Sequence, residues 1–131
     1  MIRLVEKIPD ANDYMRLRAV TGMPPRSKVA AERGLPKSLF AVVVLEGETA
    51  IGMGRVVGDG GLNFEIVDIA VDPSYQGQGW GRKIMEAIMA YLDREAPQGC
   101  YISLIADVPE FYEKFGFKRC APKAEGMFIQ R

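Results

Sequence analysis

Ile66-Val-Asp-Ile-Ala-Val71, then Asp72-Pro-Ser-Tyr75, then Gln76-Gly-Gln-Gly-Trp-Gly81 and Arg82 form the stretch that decides how the rest of the chain is read. Its first part is apolar and rich in β-branched residues, as a buried strand is. A Pro-containing turn and a glycine-rich loop follow, and beyond them apolar residues recur at helical spacing. Strand, loop and helix in that order make an anion site. The first turn of a helix leaves N–H groups without intrahelical partners, and its aligned peptide dipoles add about half a positive charge there. Gly77, Gly79 and Gly81 carry no Cβ, so a phosphate can approach those N–H groups closely. Glycine spacing alone does not separate a pyrophosphate cradle from an ordinary turn.

One nucleotide motif fails and another fits weakly. A triphosphatase phosphate loop ends in Gly-Lys-Ser/Thr, whereas Gly81 is followed by Arg82 and Lys83. A dinucleotide fingerprint follows the first strand of its unit and needs an acidic residue about 20 residues on. Glu95 falls instead at the end of the same helix.

Composition narrows the field. The 131 residues, 48% hydrophobic, suit one domain over 1–131 and are too few for two ordinary ones. Lys+Arg 17 against Asp+Glu 17 leaves no net charge, so no global field draws the protein to nucleic acid or to an anionic membrane. With no His and with Cys100 and Cys120 outside any CxxC pair, a zinc site or a Ser-His or Cys-His nucleophile in its usual form is ruled out, and no metal is expected. Two cysteines read as reduced and structural fit a cytoplasmic chain. Charges interrupt every apolar run, so neither a signal peptide nor a membrane span is expected.

Ile2 to Ile8 reads as a first strand, and Pro9-Asp10 as the start of a helix whose inward stripe carries Tyr14 and Leu17 before Thr21-Gly22 stops it. Met23-Pro-Pro-Arg26 is non-helical, and Ser27 caps a short helix ending at Gly34. Leu39–Leu45, Thr49–Val57 and Asn63–Val71 form three strands with short connections, hence antiparallel neighbours. Gly52 and Gly54 either weaken the second of these or mark a close backbone approach. After the glycine loop, Ile84, Met85, Ile88, Met89 and Leu92 share one helical face, which is core. Tyr101–Ala106 is the next strand, and the unit from Glu65 to Ala106 predicts a right-handed parallel crossover.

Gln76, Gly79 and Gly81 carry Gln-x-x-Gly-x-Gly directly after Asp68-Ile-Ala-Val-Asp-Pro73. Phe111-Tyr-Glu-Lys-Phe-Gly-Phe117 follows further on. Together these residues resemble the GNAT superfamily of acyl-CoA-dependent N-acyltransferases, closely over residues 39 to 130 and loosely before that. The resemblance implies an α/β (α+β) fold, with a mixed, mostly antiparallel sheet of six or seven strands, about four helices and one parallel crossover. It implies acetyl-CoA as co-substrate and an assembly that is often a homodimer in that family; the absence of net charge and the short chain favour a small-molecule amine as partner, with a protein amine or a non-catalytic acyl-CoA-binding module as alternatives.

By the same resemblance, residues Ile69, Ala70, Val71, Gln76, Gly77, Gln78, Gly79, Trp80, Gly81 and Arg82 meet the cofactor. The pantetheine arm then bonds the backbone of Ile69 and Val71 like an added strand, at a local bulge, with the Ile69 N–H as oxyanion donor. Many members place an Asn before the tyrosine helix, and Asp107 stands there as a partial substitute. Tyr112 is the candidate general acid, since a phenol of pKa about 10 keeps its proton at neutral pH. A Tyr in Phe-Tyr-x-x-Phe also suits plain packing. For the base, Glu65 is favoured over Asp68, which a regular strand would turn to the opposite side; water alone serves in many members. Arg55 and Arg26 are candidates to hold a substrate carboxylate, or are surface residues.

Overall fold

The strand that carries the deciding stretch lies fourth in an open five-stranded sheet ordered β1-β2-β3-β4-β5. The computed structural model describes residues 1–131. In chain order the elements are β1 (Ile2–Glu6), α1 (Ala11–Val20), α2 (Lys28–Gly34), β2 (Phe40–Glu46), β3 (Thr49–Gly58), β4 (Asn63–Val71), α3 (Trp80–Glu95), β5 (Tyr101–Ser103) and α4 (Pro109–Glu113). β1 to β4 pair antiparallel, while β4 and β5 pair parallel across the α3 crossover.

The predicted caps are present. The Asp10 carboxylate accepts the Asp13 N–H at 2.8 Å and starts α1, and the Ser27 hydroxyl accepts the Ala30 N–H at 3.1 Å and starts α2. The strand count is five, against an expected six or seven. β5 stops at Ser103 and not at Ala106, and no strand forms after α4. Gly116, Pro122 and four charged residues from Lys118 to Glu125 interrupt any alternating pattern there, and Pro cannot donate to a ladder. Both cysteines are free. No helix is long and apolar enough to cross a membrane.

One hydrophobic cluster lies on each face of the sheet. On the α3 face, Ile84, Met85, Ile88 and Leu92 pack on Phe40, Val42, Val44, Val56, Phe64 and Ile66. Each of those four helical side chains is at most 3% exposed and contributes about 2 kcal/mol by burial. The helix approaches so closely that a Cβ on Gly54 would stand 2.6 Å from Ile84 and 2.8 Å from Ile69, so this glycine marks close approach. On the opposite face, Tyr14 and Leu17 of α1 and Ala31 of α2 pack on Val43, Leu45, Met53 and Ala70.

Candidate active site

β4 is regular at one end and distorted at the other. Arg55 pairs with Val67 but Met53 pairs with Ala70, so β4 carries one extra residue over this interval, a bulge. At its centre Asp68 has φ +58°, and it is the sole non-glycine residue of the chain in that region. Asp tolerates this conformation better than most L-residues. The bulge also resets the alternation. Phe64 and Ile66 face α3, Ala70 faces α1, and Ile69 and Val71 return to the α3 side. A regular strand would have turned Asp68 away from Glu65; the extra residue brings both to the α1 face, and this corrects the sequence expectation.

β5 pairs with β4 only at Asn63, Phe64 and Glu65. Past Glu65 the outer side of β4 has no strand beside it, and a cleft of about 430 Å³ lies there. Ile69, Val71, Gln76, Gly77, Gly79, Trp80, Gly81, Arg82, Asp107 and Tyr112 line it, so ten of the residues drawn from the sequence come together around one opening. Tyr75, Val108 and Phe111 complete the lining, and the sequence reading did not single them out. Ala70 and Gln78 stand outside it: Ala70 is buried under α1, and Gln78 is exposed.

The loop geometry suits an anion. Gly77 and Gly79 have φ of +79° and +88°, values that favour glycine, and Gly79 is the N-cap of α3 without any side-chain cap. The first-turn N–H groups of α3 therefore lack a side-chain acceptor of their own. A Cβ on Gly81 would sit 3.7 Å from Phe111, an ordinary contact with the α4 wall. The Gln76 amide donates to the Val71 carbonyl at 2.9 Å and so braces the end of β4; that oxygen keeps one lone pair for a second donor. Arg82 pairs with Glu86 at 3.2 Å, and Lys83 lies 4.6 Å from the Trp80 ring. These residues fit the diphosphate and thioester arm of a coenzyme A ester.

Tyr112 projects into the same cleft from α4, with Phe111 edge-on at 5.0 Å. Burial raises its phenol above the ordinary value, and the Asp107 carboxylate adds to the shift by opposing a negative charge. A half-buried phenol that keeps its proton can serve as an acid to a group bound in this cleft.

On the α1 face, Asp68 is the centre of a buried polar cluster. Its carboxylate accepts from the Tyr14 hydroxyl at 3.2 Å, Arg18 Nη1 at 2.6 Å and Arg55 Nε at 2.9 Å. The side chains of Arg18, Arg55 and Asp68 are 6%, 12% and 6% exposed. Both Asp68 oxygens are thus already engaged. Arg55 Nη1 donates to Ser38 Oγ at 2.8 Å, so its fork is largely occupied as well. Burial raises the Tyr14 phenol, and Asp68 raises it further against the opposing pull of the two guanidinium groups.

A second cleft of about 170 Å³ adjoins this cluster, lined by Tyr14, Arg26, Ala30, Ala31, Gly34, Leu35 and Arg55. The two arginines drawn from the sequence therefore share one cleft, and Arg26, unlike Arg55, makes no ion pair. Glu65 lines neither cleft. It lies in the regular half of β4 between Val57 and Ser103, about 13 Å along the strand from Ile69. The cluster partners Tyr14 and Arg18 did not emerge as site residues from the sequence, where Tyr14 reads as core. Their signal was an arginine at the inward position four residues after Tyr14 on a short amphipathic helix.

Comparison with known proteins agrees with this architecture. Residues 36–119 match the acetyltransferase (GNAT) domain model. A histone acetyltransferase of Glycine max is 40% identical over 91% of this chain, and the chloroplastic serotonin N-acetyltransferase 2 of Oryza sativa subsp. japonica is 33% identical over 86%. The chain spans 56% and 58% of the length of those two proteins. A solved structure of a probable acetyltransferase from Staphylococcus aureus is 48% identical, covers both chains fully and superposes with a TM-score of 0.95. The chain belongs to the GNAT acetyltransferase family.

Proposed function

We propose that this chain is an acetyl-CoA-dependent N-acetyltransferase that acetylates the primary amine of a small molecule bearing an anionic group, by direct attack in a ternary complex. The observation that carries the reading is the single cleft running from the uncapped start of α3, along the open side of β4, to the Tyr112 phenol. Bound there, acetyl-CoA supplies an activated acyl group, whose C–S bond gives way to a C–N bond with the acceptor. The first-turn amides of α3 hold the diphosphate, and the Ile69 N–H, on the outer side of the bulge, meets the developing oxyanion. Tyr112 gives its proton to the departing sulfur.

An amine of pKa about 9 to 10 is mostly protonated at neutral pH and must lose a proton before attack. The occupied oxygens of Asp68 argue against it as base. Glu65, on the same face, is our candidate; about 13 Å along the strand from Ile69, it acts through a chain of several waters and not through one. The acceptor enters from the α1 side, through the place where β4 lacks an outer strand. Two buried guanidinium groups against one carboxylate leave the cluster one positive charge in excess, and Arg26 adds another at the cleft. That balance favours an acceptor with a carboxylate, such as an amino acid or a related metabolite.

A protein amine is the second reading, favoured by the name of the Glycine max relative; the confined second cleft argues for the smaller acceptor. Calorimetry with coenzyme A tests the cradle, and release of free thiol across a panel of amines tests turnover. Coenzyme A binding without thiol release from any amine would reduce the chain to an acyl-CoA-binding module.

A further inference from the structure

Arg18 is buried, 5% exposed, and beyond its charge the proposed chemistry gives its guanidinium no task. Its guanidinium, carried on α1, bonds two other segments at once. Nη1 donates to Asp68 Oδ1 at 2.6 Å, at the centre of the β4 bulge. Nε and Nη2 both donate to the Pro24 carbonyl, at 2.9 and 2.6 Å, in the irregular loop that leads to Arg26. Tyr14, one turn earlier on α1, donates to the same Asp68 oxygen. The 23–26 loop has no helix or strand of its own, and its two prolines lack an N–H, so this fork is its main side-chain anchor.

We infer that Arg18 is a positioning residue that couples the acceptor loop to the β4 bulge, so that the wall carrying Arg26 and the backbone at Ile69 move as one unit. Asp68 is next in sequence to Ile69, which lines the larger cleft; Pro24 is two residues from Arg26, which lines the smaller one. One planar guanidinium therefore spans the two clefts with directed bonds at both ends. Lysine keeps the charge but offers no rigid fork, and cannot hold a carbonyl and a carboxylate in this geometry. The distance between acceptor and acyl carbon is sensitive to such an anchor, because a misplacement near 1 Å can cost about 100-fold in rate.

The inference rests on the proposed acetyl-CoA reading, and the tests separate the two. In the full chain carrying Arg18→Lys, amide exchange is expected to quicken about fivefold or more in both segments, 23–27 and 67–70, while Arg16→Lys as control leaves both unchanged. For the amine that wild type acetylates fastest, kcat/KM should fall about tenfold or more, through both kcat and KM, with coenzyme A affinity within about twofold. In wild type, saturating coenzyme A is expected to protect the Met23 and Arg26 amides, the two that 23–26 carries, as well as the cleft amides of 69–82. That last measurement needs no variant and decides the matter if Arg18→Lys does not fold. Exchange that quickens in 23–27 alone, unaltered kinetics, or a 23–26 segment that ignores bound coenzyme A would each overturn the coupling. Absence of any coenzyme A binding by wild type would instead strike the cofactor reading, and the exchange of Arg18→Lys would still judge the bridge.

Discussion

The two ends of β4 share one strand and one neighbour in β3, yet they are built for different ends. From Asn63 to Glu65 the strand is regular and paired on both sides. From Ile66 to Val71 it has one extra residue, a left-handed Asp and no outer partner. Pairing on both sides leaves no backbone group to offer, whereas the distorted half keeps its outer amides for a ligand. The cost of that distortion is met on the α1 face, where Tyr14, Arg18 and Arg55 hold Asp68 in place, and on the α3 face, where Ile69 rests against bare backbone at Gly54. A ligand-binding strand end of this kind is stable only if it is supported from both faces.

The comparison can be tested by changing each half in turn. The largest effect is expected at the cleft wall: Tyr112→Phe should lower kcat by about 100-fold or more with coenzyme A affinity nearly unchanged, as stopped-time thiol assays and calorimetry would measure. Its pH profile gives a second check. Because the folded-state pKa of Tyr112 is raised, the phenol stays protonated through neutral and mildly alkaline pH. Wild-type turnover should then decline only as pH rises through that raised value, and the decline should be absent from the residual activity of the Phe variant. The stability linked to the same shift is present below the unfolded value near 10 and is lost above the folded one.

Gly54→Val, which forces a side chain into Ile84 and Ile69, is expected to cost about 3 kcal/mol and to lower Tm by about 10 °C, whereas Val57→Ala opposite Glu65 should cost under about 1 kcal/mol. Equal losses at the two sites, read by thermal unfolding, would erase the distinction between the halves. Glu65→Gln should lower kcat/KM about tenfold at neutral pH; an unchanged rate would assign the proton to water alone. Smallest of all, Arg82→Ala should weaken coenzyme A by about threefold, since its exposed side chain lies at the rim.

Much of this was readable from residues 66–82 and 109–117. β-branched runs, a proline turn and spaced glycines are local signals, and they located β4 and the glycine loop without any tertiary information; Tyr112 was drawn from the family resemblance, since Phe-Tyr-x-x-Phe also suits plain packing. The caps at Asp10 and Ser27 were equally local. What could not be read was long-range. Asp68 changes face because of a mismatch with β3, a property of two strands together. Arg18 becomes a site residue only because Pro24 and Asp68, 6 and 50 positions away, converge on it. The early end of β5 is of the same kind, since Leu104 and Ile105 suit a strand and only the departure of the chain toward α4 removes them from the sheet.

The start of α3, left without a side-chain cap at Gly79, has a practical consequence at the bench. Peptide amides of this sort respond to charge and shape and take no account of what the oxyanion is attached to. Phosphate or sulfate in a purification buffer would therefore act as a rival for the coenzyme, and screens for the acceptor amine are better run in zwitterionic buffers at low salt.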